Sequence, residues 1–207
     1  MIFRALKTNW LRFLFVACGV GLSQQANSLK GYAIIFMASI SLNCRIMNNI
    51  TIRLIQQKDD LGIARIIRES LELNNANKPG TVYYDASTDH LSDLFTVKGS
   101  VYFVAESNEH LLGGCGIYPT AGLPEGTGEL VKLYLDEKAQ GKGIGKALFN
   151  RSLDAAKEMG YQNVYIETMP ELKKAIPLYE QAGFTYLPGP LGNSGHDGCG
   201  IWMMKAL

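Results

Sequence analysis

The chain has 207 residues, 47% of them apolar and 19% charged. That is core enough for one ordinary domain, or one domain with an appended segment, and too apolar for a wholly disordered chain. The formal net charge of +1 supplies neither a basic field for nucleic acid nor an acidic tail. The average hides a split. Residues 1–46 carry Arg4, Lys7, Arg12, Lys30 and Arg45 with no acid, so residues 47–207 hold fifteen bases against nineteen acids, a net of −4. The cysteines, Cys18, Cys44, Cys115 and Cys199, form no CxxC pair, which indicates neither a metal site nor a redox motif. Cys115 and Cys199 are read as reduced thiols, with a disulfide between them as the alternative.

In residues 1–46 a basic stretch precedes the apolar run Phe13 to Leu22, and a second run covers Tyr32 to Leu42. The first is like a signal-peptide core, and Val16-Ala17-Cys18 faintly resembles a lipoprotein cleavage site. Neither run reaches the roughly 18 unbroken apolar residues of a membrane span. The segment is expected to lie outside the functional domain, with Met47 as a natural start. A membrane anchor and a tail packed on the domain are the other readings.

Beyond it, Ile50, Ile52 and Leu54 alternate with polar residues as a half-buried strand does. Asp59-Asp60 offers a cap for a helix through Leu61, Ile63, Ile66, Ile67 and Leu71. Asn74 to Ser87 is loop, and a short helix follows Thr88-Asp89 and ends by Lys98-Gly99. Val101 to Ala105 and Leu111 to Tyr118 read as a hairpin across Ser107-Asn108-Glu109. A strand over Glu129 to Leu135, a helix over Ile144 to Met159 closed by Gly160, and a strand over Asn163 to Thr168 come next. Glu171 to Ala182 is expected to be helical up to Gly183, followed by a short strand at Thr185 to Leu187 and a last one at Ile201 to Lys205. The order β-α-α-β-β-β-α-β-α-β-β predicts an α+β fold with a mixed, mostly antiparallel sheet flanked by helices.

The informative stretch runs from Leu133 to Lys146, where a strand enters a glycine-rich turn that opens a helix. Amides at a helix N-terminus lack intrahelical partners, and the dipole adds partial positive charge there. Glycine admits an anion close to that backbone, and Lys142 and Lys146 add formal charge, so the element suits phosphate. A dinucleotide fingerprint would need glycine where Lys146 stands. A P-loop would need glycine and a hydroxyl residue where Gln140 and Ala147 stand. Gln140-x-x-Gly143-x-Gly145 fits a third pattern, (Arg/Gln)-x-x-Gly-x-(Gly/Ala), and here the chain resembles the GNAT family of N-acetyltransferases. Ala175-Ile176-Pro177-Leu178-Tyr179-Glu180-x-x-Gly183-Phe184 looks like that family's second signature, and the order of elements matches from about Ile50 to Leu207.

The resemblance implies a fold with a splayed cleft for acetyl-coenzyme A, and direct acetyl transfer to the amine of a small molecule. A protein or peptide N-acetyltransferase, acting on a terminus or a lysine, is the enzymatic alternative. A coenzyme A-binding domain without turnover is the non-enzymatic one. By resemblance, the backbone of Leu133, Tyr134 and Leu135 bonds the pantetheine, and Gln140, Gly141, Lys142, Gly143, Ile144, Gly145 and Lys146 surround the pyrophosphate. Many members carry, three residues before the alanine matched by Ala175, an asparagine that touches the cofactor. Leu172 stands there, so that contact is not carried over.

An alkylamine with a pKa near 10.4 is neutral in only about one molecule in 2,500 at pH 7, so a base is valuable. Glu129 is the candidate base, eleven residues before Gln140, the offset of the catalytic glutamate in histone-acetylating members. A carboxylate that binds substrate or faces solvent is the alternative, and Glu167 is the reserve. Tyr179 matches the family's tyrosine and is the candidate acid; a core tyrosine is the alternative. Pro177 is expected to interrupt its helix by leaving the Lys173 carbonyl unpaired. The loops around Tyr83 and His196 are placed by resemblance at the acceptor, and both residues are substrate candidates. Cys115, in a run of glycines, reads as a small strand residue rather than a nucleophile. No metal and no nucleic acid is expected, a homodimer is left open, and membrane contact follows only if residues 1–46 are an anchor. Because its donor is cytoplasmic, the enzyme is expected in the cytoplasm, free or tethered.

Overall fold

The computed structural model describes residues 49–207; the segment 1–46 and its suggested roles lie outside the described residues. Strand β1 (Thr51–Leu54) leads through a 3-10 turn into helix α1 (Asp60–Leu73). Its buried residues Ile63, Ile66, Ile67 and Leu71 recur at helical spacing and face the sheet. The two aspartates at its start do not cap it with their side chains. The Asp59 carboxylate accepts from both Arg53 guanidinium nitrogens and from the Gln56 amide, and Asp60 accepts from the Ser92 amide and hydroxyl. Each aspartate therefore fixes the approach to α1 rather than its first turn.

The expected helix before Gly99 shrinks to one 3-10 turn and the four-residue α2 (Leu91–Leu94). Strands β2 (Val101–Ser107) and β3 (His110–Tyr118) form the hairpin, with Asn108 and Glu109 both at positive φ, as a two-residue primed turn requires. Strand β4 (Thr127–Leu135), helix α3 (Ile144–Glu158) and strand β5 (Asn163–Thr168) form the one parallel crossover. Helix α4 (Ile176–Gln181), strand β6 (Thr185–Tyr186) and strand β7 (Ile201–Ala206) complete the described chain. The sheet order is β1-β2-β3-β4-β5-β7-β6, antiparallel everywhere except between β4 and β5.

Two buried clusters cover the two faces, as the period of two in β2 dictates. Tyr102 and Val104 join Ile63, Ile66, Ile67 and Leu71 of α1 on one side. Phe103 and Ala105 join Leu148, Phe149 and Ile144 of α3 on the other. Helix α4 is shorter than expected and begins at Ile176, so Pro177 falls in its first turn. No amide is needed there, and Pro177 therefore does not break the helix. Cys115 and Cys199 are free thiols. Among the described residues no helix is long and apolar enough to cross a membrane.

Candidate active site

Strands β4 and β5 pair only at Thr127–Asn163, Gly128–Val164 and Glu129–Tyr165. Beyond Glu129 the two strands part, so the β5-facing edge of β4 has no ladder partner among the described residues. The divergence has a local cause. Gly116 pairs with Val131 and Gly114 with Tyr134, so an extra residue is inserted in β4, with Lys132 at φ 53°. The Tyr102 hydroxyl, donating from β2 on the far side of β3, holds the Lys132 carbonyl at 2.9 Å. The glycines opposite make room for this: a Cβ on Gly113 would lie 2.3 Å from the Tyr134 carbonyl, and one on Gly114 would lie 2.4 Å from the Tyr102 ring.

The gap opens into a cleft of about 310 Å³. Its walls are Leu133, Tyr134 and Leu135 of β4, the turn residues Gln140, Gly141, Gly143, Gly145 and Lys146, and Leu178 and Tyr179 of α4. Gly141 and Gly143 have φ of 72° and 80°, and no atom lies within 4 Å of where their Cβ atoms would be. Among the described residues no protein group accepts from the amides of Gly141 to Lys146; the first bond of the helix is donated by Ala147 to Gly143. A run of free amides at the start of a fifteen-residue helix, with open space in front of it, fits a pyrophosphate. The unpaired edge of β4 and its apolar side chains fit an extended amide-bearing arm. Ile144 contributes only its backbone, since its side chain is core, and the Lys142 side chain is exposed outside the cleft wall. Leu172 borders the cleft, and Lys174 reaches its rim, donating to the Gln140 side-chain carbonyl at 2.7 Å.

A second cavity of about 300 Å³ adjoins the first, sharing Leu130, Lys132, Tyr134, Glu167, Thr168 and Leu172 with it. Glu129 lies here, 3% exposed, with Thr120 donating its hydroxyl to the carboxylate. Burial, reinforced by the neighbouring Glu167, pushes the Glu129 carboxyl up to about 7, against the pull of Thr120, His196 and Lys132. Glu167 accepts from the Tyr165 and Ser194 hydroxyls. His196 borders the same cavity, its Nε2 3.0 Å from Asp85 Oδ2. Two loops roof this space, clasped where the Gly198 amide donates to the Gly80 carbonyl. Tyr83 lies outside it, its hydroxyl donating to Glu72 of α1. The loop instead contributes Asp85, and the strand Lys132, neither of which the sequence singles out.

Tyr179 is buried at the wall of the first cavity, in a trio with Phe149 and Phe184 at centroid separations of 5.7, 6.0 and 6.2 Å. Burial raises its phenol, and no hydrogen bond contributes. The Cys115 thiol is fully buried and pushed up to about 12, which makes it inert as a nucleophile. Among the described residues no group of three or more His, Cys, Asp or Glu is arranged to hold a metal ion.

Comparison with known proteins bears on this geometry. Residues 66–184 match the family described as "Acetyltransferase (GNAT) family". The uncharacterized N-acetyltransferase YjgM of Escherichia coli (strain K12) is 35% identical over 167 residues, covering 78% of this chain and all of that protein. Human N-acetyltransferase 8 is 33% identical over 116 residues, 53% of this chain and 51% of its own length. In fold, the chain is similar to the acetyltransferase yncA from Salmonella typhimurium, solved with its cofactor acetyl-CoA. That likeness has a TM-score of 0.60 at 18% identity over 76% of this chain and 94% of the other. The chain therefore belongs to the GNAT family of acetyltransferases, enzymes that use acetyl-coenzyme A.

Proposed function

We propose that this enzyme transfers acetyl directly to the amine of a small molecule, with the cofactor in the β4–β5 cleft and the acceptor in the cavity of Glu129. The observation that carries the proposal is the junction of the two spaces: free amides from Gly141 to Lys146 at one end, a buried carboxyl near neutrality at the other.

Acetyl-coenzyme A supplies the acetyl group as a thioester. Gly141, Gly143, Ile144 and Gly145 offer backbone N–H groups to its pyrophosphate, while Gln140, Lys142 and Lys146 flank them with polar and charged side chains. Leu133, Tyr134 and Leu135 present the free edge of β4 to the pantetheine. Glu129, ionised above pH about 7, takes the proton that an ammonium must lose before its nitrogen can attack. Tyr179 keeps its phenolic proton at neutral pH and holds it for the departing sulfur. His196, tied to Asp85, borders the acceptor. The roofed shape of the second cavity favours a small amine over an extended chain. Residues 47–207 carry every one of these groups, and residues 1–46 are assigned no part in the chemistry.

The test is a thiol-release assay with acetyl-coenzyme A against pooled amines, amino acids and peptides, with mass analysis of products. Small N-acetylated products are expected. Tight coenzyme A binding with no product from any pool would overturn the proposal.

A further inference from the structure

An alkylamine needs only neutral or negative walls, and Glu129 and Glu167 supply those. The second cavity also holds a cation. Lys132 sits at the bulge of β4 with φ 53°, a backbone region unfavourable for a lysine, and a bulge re-aims the side chain it carries. Its side chain is only 5% exposed and borders both cavities. The closest carboxylate oxygen, Asp85 Oδ2, is 3.6 Å from the ammonium, longer than a hydrogen bond, and is already engaged by His196 at 3.0 Å. Asp85 pairs with the ammonium at that distance, which leaves donor capacity on the nitrogen to meet an incoming carboxylate. Burial accordingly pulls its pKa below the ordinary lysine value, with Asp85 and Glu129 opposing.

Resting on acetyl transfer to a small amine, we infer that Lys132 determines specificity for an acceptor bearing a carboxylate beside its amine, an amino acid rather than a plain amine. Lys132 holds the carboxylate, and the amine turns to Glu129 and Glu167. The arrangement of charge matches such a zwitterion. Glu129 is the register partner of Tyr165, and Glu167 follows Tyr165 by two residues on the same face of β5, so the two carboxyls lie together. Lys132 stands across the bulge from them. Thr120 holds Glu129, and Tyr165 and Ser194 hold Glu167, while Lys132 is the lysine of the pocket and has the long ion pair to Asp85 as its one ion pair among the described residues. A peptide N-terminus presents an amide where the amino acid has its carboxylate, and a decarboxylated amine presents nothing. Both would leave the ammonium with Asp85 alone.

The experiment uses the full chain and a panel of amino acids, each beside its amide and its decarboxylated amine. For the best acceptor, kcat/KM for the acid is expected to exceed that of both analogues by at least about tenfold, mainly through KM. Lys132→Met keeps the length without the charge and should bring the ratio to about one; Lys132→Arg should keep the preference. A wild type that acetylates the amides or bare amines as well as the acids overturns the inference while leaving small-amine acetylation intact. No product from any amine in the panel would overturn the underlying reading instead. Should Lys132→Met not fold, inhibition of the wild type decides. The deaminated carboxylic acids must compete with the acceptor at concentrations where their primary amides do not, and equal inhibition by both overturns the assignment.

Discussion

At the scale of single residues, the proposed base Glu129 would link catalysis to stability with opposite signs. Its carboxyl sits at about 7 in the folded protein, above the ordinary glutamate range, because burial disfavours the charge. The base form is therefore lost below neutrality, and kcat/KM should rise with pH through an apparent pKa of about 7. Glu129→Gln should flatten that limb and lower kcat by about 10²-fold. The same shift means that the folded state binds this proton more tightly than the unfolded chain. Its contribution to stability is present below the unfolded glutamate pKa and is lost as pH rises through about 7. Glu129→Gln, which still accepts from Thr120, should thus melt above the wild type at pH 8 while turning over more slowly; a lower melting temperature would contradict the burial argument. Tyr179 offers a second case. Among the described residues its hydroxyl has no hydrogen-bond partner, so Tyr179→Phe leaves none of them unpaired and should hold its melting temperature while kcat falls about 10²-fold and KM hardly moves. Wild-type turnover would return Tyr179 to a packing role. Both candidates can be picked out in the sequence because each stands at a fixed offset within a motif, Glu129 eleven residues before Gln140 and Tyr179 four before Gly183. Lys132 and Asp85 cannot, since a positive φ at lysine depends on a tyrosine hydroxyl thirty residues away and Asp85 meets His196 across 111 positions.

At the scale of elements, the turn after β4 is expected to tolerate little change. Gly143 is the left-handed N-cap of α3 and Gly160 the left-handed close of the same helix, at φ 80° and 88°, and neither has a protein atom within 4 Å of its missing Cβ. Alanine at either site meets the same backbone penalty of about 1 kcal/mol, worth a few degrees of melting temperature in a domain this size. Only at Gly143 would the new methyl also stand before the free amides. Gly143→Ala should raise KM for acetyl-coenzyme A by about tenfold or more, whereas Gly160→Ala should lose the same stability with KM unchanged. Equal KM values for the pair would refute the phosphate role of the turn. The glycine pattern and the strand-to-helix change that carry this element are visible in the chain itself. Helix α4 is less legible, because Pro177 is compatible with a mid-helix break and with a first turn, and apolar spacing cannot choose. What chooses is the packing of Tyr179 and Phe184 against Phe149, a contact between segments some thirty residues apart that starts the helix at Ile176.

For the whole molecule, the decisive feature is one parallel strand pair in an otherwise antiparallel sheet. The crossover through α3 brings the amide-bearing helix end to the strand gap, and three ladder pairs hold β4 and β5 together before they part. The single helical crossover amid hairpins makes the mixed sheet predictable from the order of elements, but the extent of the parting is not, because it depends on a bulge. Both buried clusters described here are built between Ile50 and Leu207, and so are both cavities. Residues 47–207 produced alone should therefore fold, melt within about 3 °C of the full chain and match its kcat/KM within about twofold, as expected when both described clusters are kept whole. Charge gives the comparison a second readout. Removing five bases and no acids turns a net of +1 into −4, so the shorter protein should focus well below the full chain's pI of about 7.6. Co-sedimentation of the full chain with lipid vesicles, absent for residues 47–207, would make the leader an anchor and leave the catalytic unit as drawn. Precipitation of the shorter protein, or loss of its coenzyme A affinity, would instead place part of the first 46 residues in the fold.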